Sequence, residues 1–189
     1  MAATAQKSIE KWKTKRWFNV HTPKLLGEAI IGEIPAADEK GILGRVIKVS
    51  LSWITKNPAQ SFMTVGLKVT SANGDAAQTE LHYLELVYSY THSLVRRGSS
   101  AVYVIAKLRD RDGKAIVLKL IGISRNKINT PKKYGIRKIL TEFSGAYASS
   151  KSTEEFIKSV IDGSFQMDAM KAANKIAPMG KLEVKKIEL

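Results

Sequence analysis

The chain contains no cysteine, and this absence excludes several classes of protein. Without cysteine there is no disulfide framework, no thiolate zinc site and no cysteine nucleophile. No apolar run approaches the roughly 18 residues that cross a bilayer, because Lys119 interrupts the best candidate. The N-terminus also lacks the apolar block of a secretory signal. We therefore expect a soluble, cytoplasmic protein with no membrane partner.

Patterns typical of an enzyme active site are also missing. The three histidines, His21, His82 and His92, are widely separated, and no metal-binding or phosphate-loop motif occurs. Asp110 and Asp112 lie close together on a predicted hairpin tip, where paired carboxylates could hold magnesium in a nuclease. Because arginines flank both acids, charge compensation is the preferred interpretation. We predict no catalytic residue, no metal site and no cofactor.

Positive charge is abundant and unevenly distributed. The 189 residues have a net charge of +14 and a pI near 9.9, and the 44% hydrophobic content is enough for a core. Residues 1–24 hold six cations and one acid, and residues 124–138 hold six cations and no acid. Residues 25–93 are slightly acidic. Cations gathered in a tail and one loop favour a polyanionic partner, and the pattern is typical of a protein that binds RNA phosphates.

Strand and helix signals follow one another in an order typical of an α+β fold. Asn73-Gly74 and Asp112-Gly113 predict two hairpins, the second with Arg111 opposite Lys114 if its loop has two residues. Helices are predicted over about 84–97, over "YGIRKILTEFSGAYA", after a Ser152–Glu155 capping box, and after an N-cap at Ser164. We predict a central, mostly antiparallel β-barrel or sheet with C-terminal helices and a closing strand.

The charge pattern and these elements predict a division of the chain. Residues 1–16 form a basic N-terminal arm, and residues 17–189 form a single α+β domain. Within the domain we predict a β-rich barrel with one helix (17–124), a basic loop (125–138), and a helical section with the final strand (139–189). Val46 to Leu51 favour a strand, Trp17 and Phe18 are expected to dock on the core, and Met167 and Met170 are expected to fill it.

Lysine and arginine alternate with Asn, Thr, Gly and aromatic residues in the basic segments, as in surfaces that contact phosphate and sugar. Tyr134 could stack on a base or anchor the following helix, and the sequence favours neither. The predicted RNA-binding residues are Lys11, Lys13, Lys15, Arg16, Arg96, Arg97, Lys107, Arg109, Arg111, Arg125, Asn126, Lys127, Lys132, Lys133, Tyr134, Arg137 and Lys138.

Three motifs in this order, "KWKTKRWFNVHTP", "GRVIKVSL" and "SRNKINTPKKYGIRK", resemble the archaeal and eukaryotic small-subunit ribosomal protein family S-one-e (S-three-a-e). Arg45, in the second motif, joins the predicted RNA-binding residues. The basic loop is shorter than in the eukaryotic form and the long eukaryotic C-terminal extension is missing, so the resemblance is to the archaeal type. Asn19 replaces an aspartate of the family, which removes a charge.

The resemblance implies a non-catalytic structural constituent of the small ribosomal subunit, with a β-barrel and added helices. It implies binding to small-subunit rRNA on the platform, near the mRNA exit and the 3′ end of the rRNA, and support of translation and subunit assembly. Expected partners are that rRNA, neighbouring ribosomal proteins and mRNA at the exit. The alternative is a free-standing RNA-binding or RNA-chaperone module outside the ribosome.

Overall fold

The structure is a computed structural model that describes residues 15–189. The strands in this part are β1 (Arg16–His21), β2 (Ile30–Ala36), β3 (Val46–Ser50), β4 (Met63–Asn73), β5 (Ala76–Leu86), β6 (Ala101–Arg109), β7 (Ala115–Ser124) and β8 (Met179–Glu188), and the α-helices are α1 (Leu51–Thr55), α2 (Tyr88–Ser93), α3 (Thr130–Ser149), α4 (Thr153–Ile161) and α5 (Ser164–Asn174). The predicted α+β class is confirmed. Among the described residues the strands pair mostly antiparallel and form an open sheet rather than a barrel.

The chain divides into two compact units. The first comprises residues 15–47 and 67–80 of the described part, and in it β1 pairs antiparallel with β2 and parallel with the start of β5. Phe18, Ala36 and Ile42 pack in its core. The expected docking of Phe18 is confirmed, but that of Trp17 is wrong, since 61% of the Trp17 side chain is exposed. Successive strand residues point to opposite faces, so the two aromatic residues cannot both enter one core.

The second unit comprises residues 48–66 and 81–189, and its sheet is antiparallel in the order β5, β8, β7, β6. Along β6 the residues alternate between buried and exposed. Val102, Val104 and Ala106 lie on the buried face, in a core shared with Ile136 and Leu140 of α3 and with residues of α4, α5 and β8. The other face of β6 carries exposed polar and apolar side chains.

Both predicted hairpins are present. β4 and β5 pair on either side of a turn at Asn73-Gly74. Gly74 has a φ of 59°, a left-handed conformation that glycine adopts readily. At the second tip the Asp110 N–H donates to the Lys114 carbonyl and the Gly113 N–H donates to the Asp110 carbonyl, both at 3.0 Å. The loop therefore has three residues, and the expected placement of Arg111 opposite Lys114 is wrong.

Several predicted boundaries are corrected by the structure. The helix predicted over about 84–97 is present but shorter, because β5 continues to Leu86 and α2 occupies only Tyr88–Ser93. Leu51 begins α1 rather than continuing β3. The N-cap of α5 is Gly163, at φ 81°, instead of Ser164. The capping box of Ser152 and Glu155 is confirmed.

The segment predicted as a basic loop is mostly helical. Only residues 125–129 form a loop, because α3 already begins at Thr130. Pro131 lies in the first turn of α3, where its fixed φ suits a helix and its missing N–H costs no hydrogen bond. The predicted division into a basic arm and a single α+β domain stays a prediction. None of the helices in 15–189 is both long and apolar enough to cross a membrane.

Candidate RNA-binding surface

The start of α3 is a helix N-terminus without a negative partner from its own sequence. The N-cap residue, Asn129, makes no side-chain cap hydrogen bond, and the first turn contains no acid. Lys132 and Lys133 lie there instead. Because the N-terminal end of a helix is partially positive, cations at this position are unfavourable and an external anion is favoured.

A cavity of about 220 Å³ opens between the loop 125–129 and the residues that precede β8. It brings together Asn126, Lys127 and Lys132, which are all predicted RNA-binding residues. Asn129, Ala177 and Pro178 contribute to the same wall. The cavity therefore presents two cations and two side-chain amides at one concave surface, a set that suits phosphate and ribose.

Backbone and serine hydrogen bonds hold this loop in place. The Arg125 N–H donates to the Pro178 carbonyl at 3.1 Å, and the Ile128 N–H donates to Ser100 Oγ at 3.2 Å. Ser100 follows directly after the exposed turn that contains Arg96 and Arg97. The predicted cations of that turn therefore lie at the same end of the second unit as the loop. We name the cavity, this turn and the first turns of α3, through Lys138, the cationic surface.

An exposed row of side chains continues along α3. Tyr134, Arg137 and Lys138 are neighbours at helical spacing. Tyr134 is 68% exposed, which argues against its anchoring the helix, whereas base stacking stays a prediction. Arg137 Nε donates to the Tyr103 carbonyl at 3.2 Å, on the outer edge of β6. The guanidinium is exposed and retains donors for phosphate.

The exposed face of β6 carries side chains that the sequence did not identify as RNA-binding candidates. Lys107 and Arg109 lie on it as predicted, but so do Tyr103 and Ile105, which are 51% and 67% exposed. Lys185 Nζ lies 5.7 Å from the centre of the Tyr103 ring. The alternation in "AVYVIAKLR" places Tyr103 on the face of Lys107. The approach of Lys185 depends on the pairing of β7 with β8, which has no local signal.

Arg111 is exposed at the far end of the same hairpin. The length of β6 separates it from the loop end by roughly 27 Å, at about 3.3 Å per residue. The structure therefore brings together only some of the predicted cations of the second unit. The loop, the Arg96-Arg97 turn and the start of α3 form one surface, whereas Arg111 would make a distant contact.

Asp110 has a structural role that argues against a magnesium-dependent nuclease. It is 6% exposed, its Oδ1 accepts the Arg111 N–H at 2.6 Å, and its Oδ2 accepts the Thr153 hydroxyl at the start of α4. Among residues 15–189 no group of three or more His, Asp or Glu is placed to hold a metal ion. The carboxylate joins the hairpin tip to α4, and Asp112 lies alone on the exposed tip.

The predicted cations of the first unit are described separately. Lys15, Arg16 and Arg45 are exposed, and Arg45 Nη1 donates to the Pro35 carbonyl at 3.3 Å. Arg16 lines a cavity of about 500 Å³ whose wall also contains Asp38 and Glu39, so the local charge is mixed. Lys11 and Lys13 lie outside the described residues.

Three lysines on the sheet of the second unit, Lys119, Lys181 and Lys186, differ from those of the cationic surface because acids neutralise them. Lys119 Nζ and Lys186 Nζ each lie 3.0 Å from the Glu188 carboxylate. Hydrogen bonds from Lys119 and then Lys186 hold the pKa of Glu188 below its ordinary value. In contrast, no cation of 124–138 is paired with a carboxylate within the described part of the chain.

The chain is similar to one family of known proteins. The family model described as the Ribosomal S3Ae family matches residues 3–189. The chain is 34% identical to small ribosomal subunit protein eS1 of Pyrobaculum neutrophilum over 95% of the chain and 81% of that protein. It is 32% identical to the protein of the same name from Saccharolobus solfataricus, over 100% of the chain and 91% of that protein. The corresponding protein of Sulfurisphaera tokodaii is 31% identical, with 95% and 93% covered.

Proposed function

The chain belongs to the Ribosomal S3Ae family, and on this premise we propose that it binds small-subunit rRNA through the cationic surface as a structural constituent of the small ribosomal subunit. Membership in this family of ribosomal proteins agrees with the resemblance drawn from three motifs. It also agrees with the prediction that the chain is not an enzyme.

The single observation that carries the proposal is the charge of residues 124–138, whose cations are paired with no carboxylate in the described part of the chain. Six cations and no acid occur there, and the structure gathers part of them around a cavity beside the uncapped start of α3. A protein standing alone gains nothing from this arrangement, because like charges repel and the helix N-terminus disfavours them. Phosphate groups remove both penalties at once.

The finer aspects of the proposal follow the family resemblance. We place the rRNA contact on the platform, near the mRNA exit and the 3′ end of the small-subunit rRNA. Neighbouring ribosomal proteins and mRNA at the exit are further partners, and the protein supports translation and subunit assembly. The location is cytoplasmic and ribosome-associated.

A salt titration of binding to a small-subunit rRNA fragment tests the RNA contact. Each phosphate contact adds roughly 0.7 to 0.9 to the slope of log affinity against log salt, so four contacts weaken binding about 100-fold between 50 and 200 mM salt. We expect a steep fall of this kind. An affinity that does not change with salt would contradict the cationic surface as the binding site.

Sedimentation distinguishes the ribosomal role from a free-standing RNA chaperone. A subunit constituent stays with small subunits through a high-salt wash, because it contacts folded rRNA at many points. A chaperone that visits many RNAs is removed by the same wash. Recovery of the chain only in the unbound fraction would favour the chaperone.

A further inference from the structure

Three side chains of β6 lie on the face of the sheet opposite the helices and are exposed. Tyr103, Ile105 and Lys107 alternate with the buried residues that pack against α3, α4 and α5. Tyr103 is 51% exposed and Ile105 is 67% exposed. We name this side of β6, β7 and β8 the outer face. An aromatic ring and an aliphatic side chain next to each other on a strand present apolar surface to a partner.

The carboxylates of the outer face are each paired with a lysine. The pairing of β7 and β5 with β8 places there Glu85, Glu183 and Glu188. Each of these carboxylates lies between 3.0 and 3.8 Å from the Nζ of Lys119, Lys181 or Lys186. Within the described part of the chain, the outer face therefore has no unpaired acid that repels a phosphate group.

Three cations of the outer face, in contrast, have no carboxylate partner among the described residues. Lys107 and Arg109 continue the exposed row of β6. Lys185 of β8 reaches over the ring of Tyr103, with its Nζ 5.7 Å from the ring centre. An aromatic ring among unpaired cations suits a nucleic acid, because the ring stacks on a base while the cations contact the phosphates. Charge complementarity therefore favours RNA over a basic protein segment.

Arg137 connects the outer face to the cationic surface. It belongs to the exposed row of α3 that contains Tyr134, and its Nε donates to the Tyr103 carbonyl at 3.2 Å. Since β6 is the outermost strand of its sheet in the described structure, the guanidinium lies at the sheet edge, between two exposed tyrosines. An RNA strand bound to the cationic surface can continue around this edge onto the outer face.

We propose that the outer face holds an unpaired nucleotide of the rRNA that occupies the cationic surface. Its base stacks on Tyr103 beside Ile105. Lys185 and Arg137 bind the phosphates on either side of it. This inference rests on the proposed function, because the same rRNA must contact the cationic surface. The nucleotide is unpaired because neighbouring base pairs cover the faces of a base in a double helix.

Binding of the full chain to a single-stranded oligouridine and to an RNA duplex of equal length tests the stacking. Tyr103→Ala should weaken binding to the single strand roughly tenfold, as expected for one stacked base, and leave duplex affinity unchanged. The salt slope should stay the same, since no phosphate contact is lost. Tyr103→Phe keeps the ring and should bind like the wild type.

The matched control is Tyr88→Ala, at another exposed tyrosine of the second unit, and it should change neither affinity. The stacking site is refuted if Tyr103→Ala causes no loss, if the loss is equal for single strand and duplex, or if Tyr88→Ala causes the same loss.

A photo-crosslinking residue in assembled particles identifies the RNA. Ile105 is replaced by p-benzoylphenylalanine, which the exposed position tolerates, and small subunits that contain the variant are purified and irradiated. We expect a crosslink to an unpaired segment of small-subunit rRNA. A crosslink only to mRNA or to a ribosomal protein, or no crosslink, would overturn the proposal.

The same crosslinker at Tyr134 separates this inference from the proposed function, because Tyr134 lies on the cationic surface. If the Tyr134 position reaches rRNA and the Ile105 position does not, the stacking site alone fails. If the wild-type chain is itself absent from small subunits, the proposed function fails with it.

Discussion

The starts of α3 and α4 lie in the same unit and solve the same physical problem in opposite ways. At α4, Ser152 and Glu155 form a reciprocal capping box, and Glu154 adds a second carboxylate to the first turn. At α3, the N-cap side chain makes no bond and lysines replace the acids. The start of α4 is capped by its own sequence, whereas the start of α3 favours an external anion. This departure from favourable local chemistry is one physical reason to propose an RNA-binding surface at the start of α3.

Reversing charge at the cationic surface tests whether the start of α3 and its cavity bind RNA phosphates. The double variant Lys127→Glu/Lys132→Glu is expected to weaken binding to an rRNA fragment roughly 100-fold and to lower the salt slope by about 2. Its thermal stability should not fall, because a carboxylate at the start of α3 complements the helix dipole. Filter binding and thermal unfolding measure the two effects.

The matched control is Lys158→Glu/Lys171→Glu, which makes the same change in net charge on α4 and α5. If this control weakened binding as much as the first variant, net charge rather than a defined surface would explain RNA affinity. The comparison between the two helix ends would then have no functional meaning.

A second variant tests whether the start of α4 is purely structural. Asp110→Ala removes the buried acceptor that joins the hairpin tip to Thr153, and should lower the free energy of unfolding by about 2 kcal/mol. Affinity for rRNA should stay unchanged in the folded protein. Asp112→Ala, on the exposed tip, should change stability by less than about 0.5 kcal/mol. Equal losses in chemical denaturation would refute the assigned role of Asp110.

The N-cap residues of α3 and α4 should contribute unequally to stability. Ser152→Ala should cost about 1 kcal/mol of unfolding free energy, the usual value for a side-chain N-cap. Asn129→Ala should lower the free energy of unfolding by only a few tenths of a kcal/mol, because the Asn129 side chain makes no cap hydrogen bond. Urea denaturation of the two variants measures the difference. A large loss for Asn129→Ala would show that α3 is capped after all.

The ion pairs of Glu188 with Lys119 and Lys186 should contribute least to the stability of the fold. Since the pKa of Glu188 is lowered in the folded protein, its stabilising contribution is present at neutral pH and is lost as the pH falls through its folded pKa. Glu188→Gln should remove a few tenths of a kcal/mol at pH 7, discounted because the pair is partly exposed. In acid the wild type and the variant should converge. A difference that persists there would show that packing, not charge, is involved.

Local sequence signals accounted for the features that depend on few neighbouring residues. The two Gly-containing hairpins, the capping box and the closing strand are set by side chains within a few positions of one another, and all are present. The buried stripe of α3 likewise follows from helical periodicity, and Ile136 and Leu140 are fully buried. The cations around the cavity were found because their composition is unusual.

Features that depend on strand pairing and packing could not be predicted from the sequence. Helical spacing around Leu84 predicts a helix that begins there, but pairing with β8 extends β5 to Leu86. The proximity of Lys185 to Tyr103 depends on the order of three strands. Met63, Met167, Met170 and Leu182 line one groove formed by β4, α5 and β8, so no window of sequence contains it. The expectation that Met167 fills the core is wrong, because it is 58% exposed. These contacts are decided by tertiary structure, which overrides local propensity.

The bond from Arg137 to the Tyr103 carbonyl has a consequence for the newly made protein. β6 is the outermost strand of its sheet in the described structure, and an uncovered outermost strand can recruit strands of other chains into aggregates. The Arg137 guanidinium hydrogen-bonds one carbonyl of β6, and Lys107 and Arg109 add positive charge on the same strand. Both features discourage another strand from pairing with β6. The same arginine thus protects this edge of the isolated chain against strand addition.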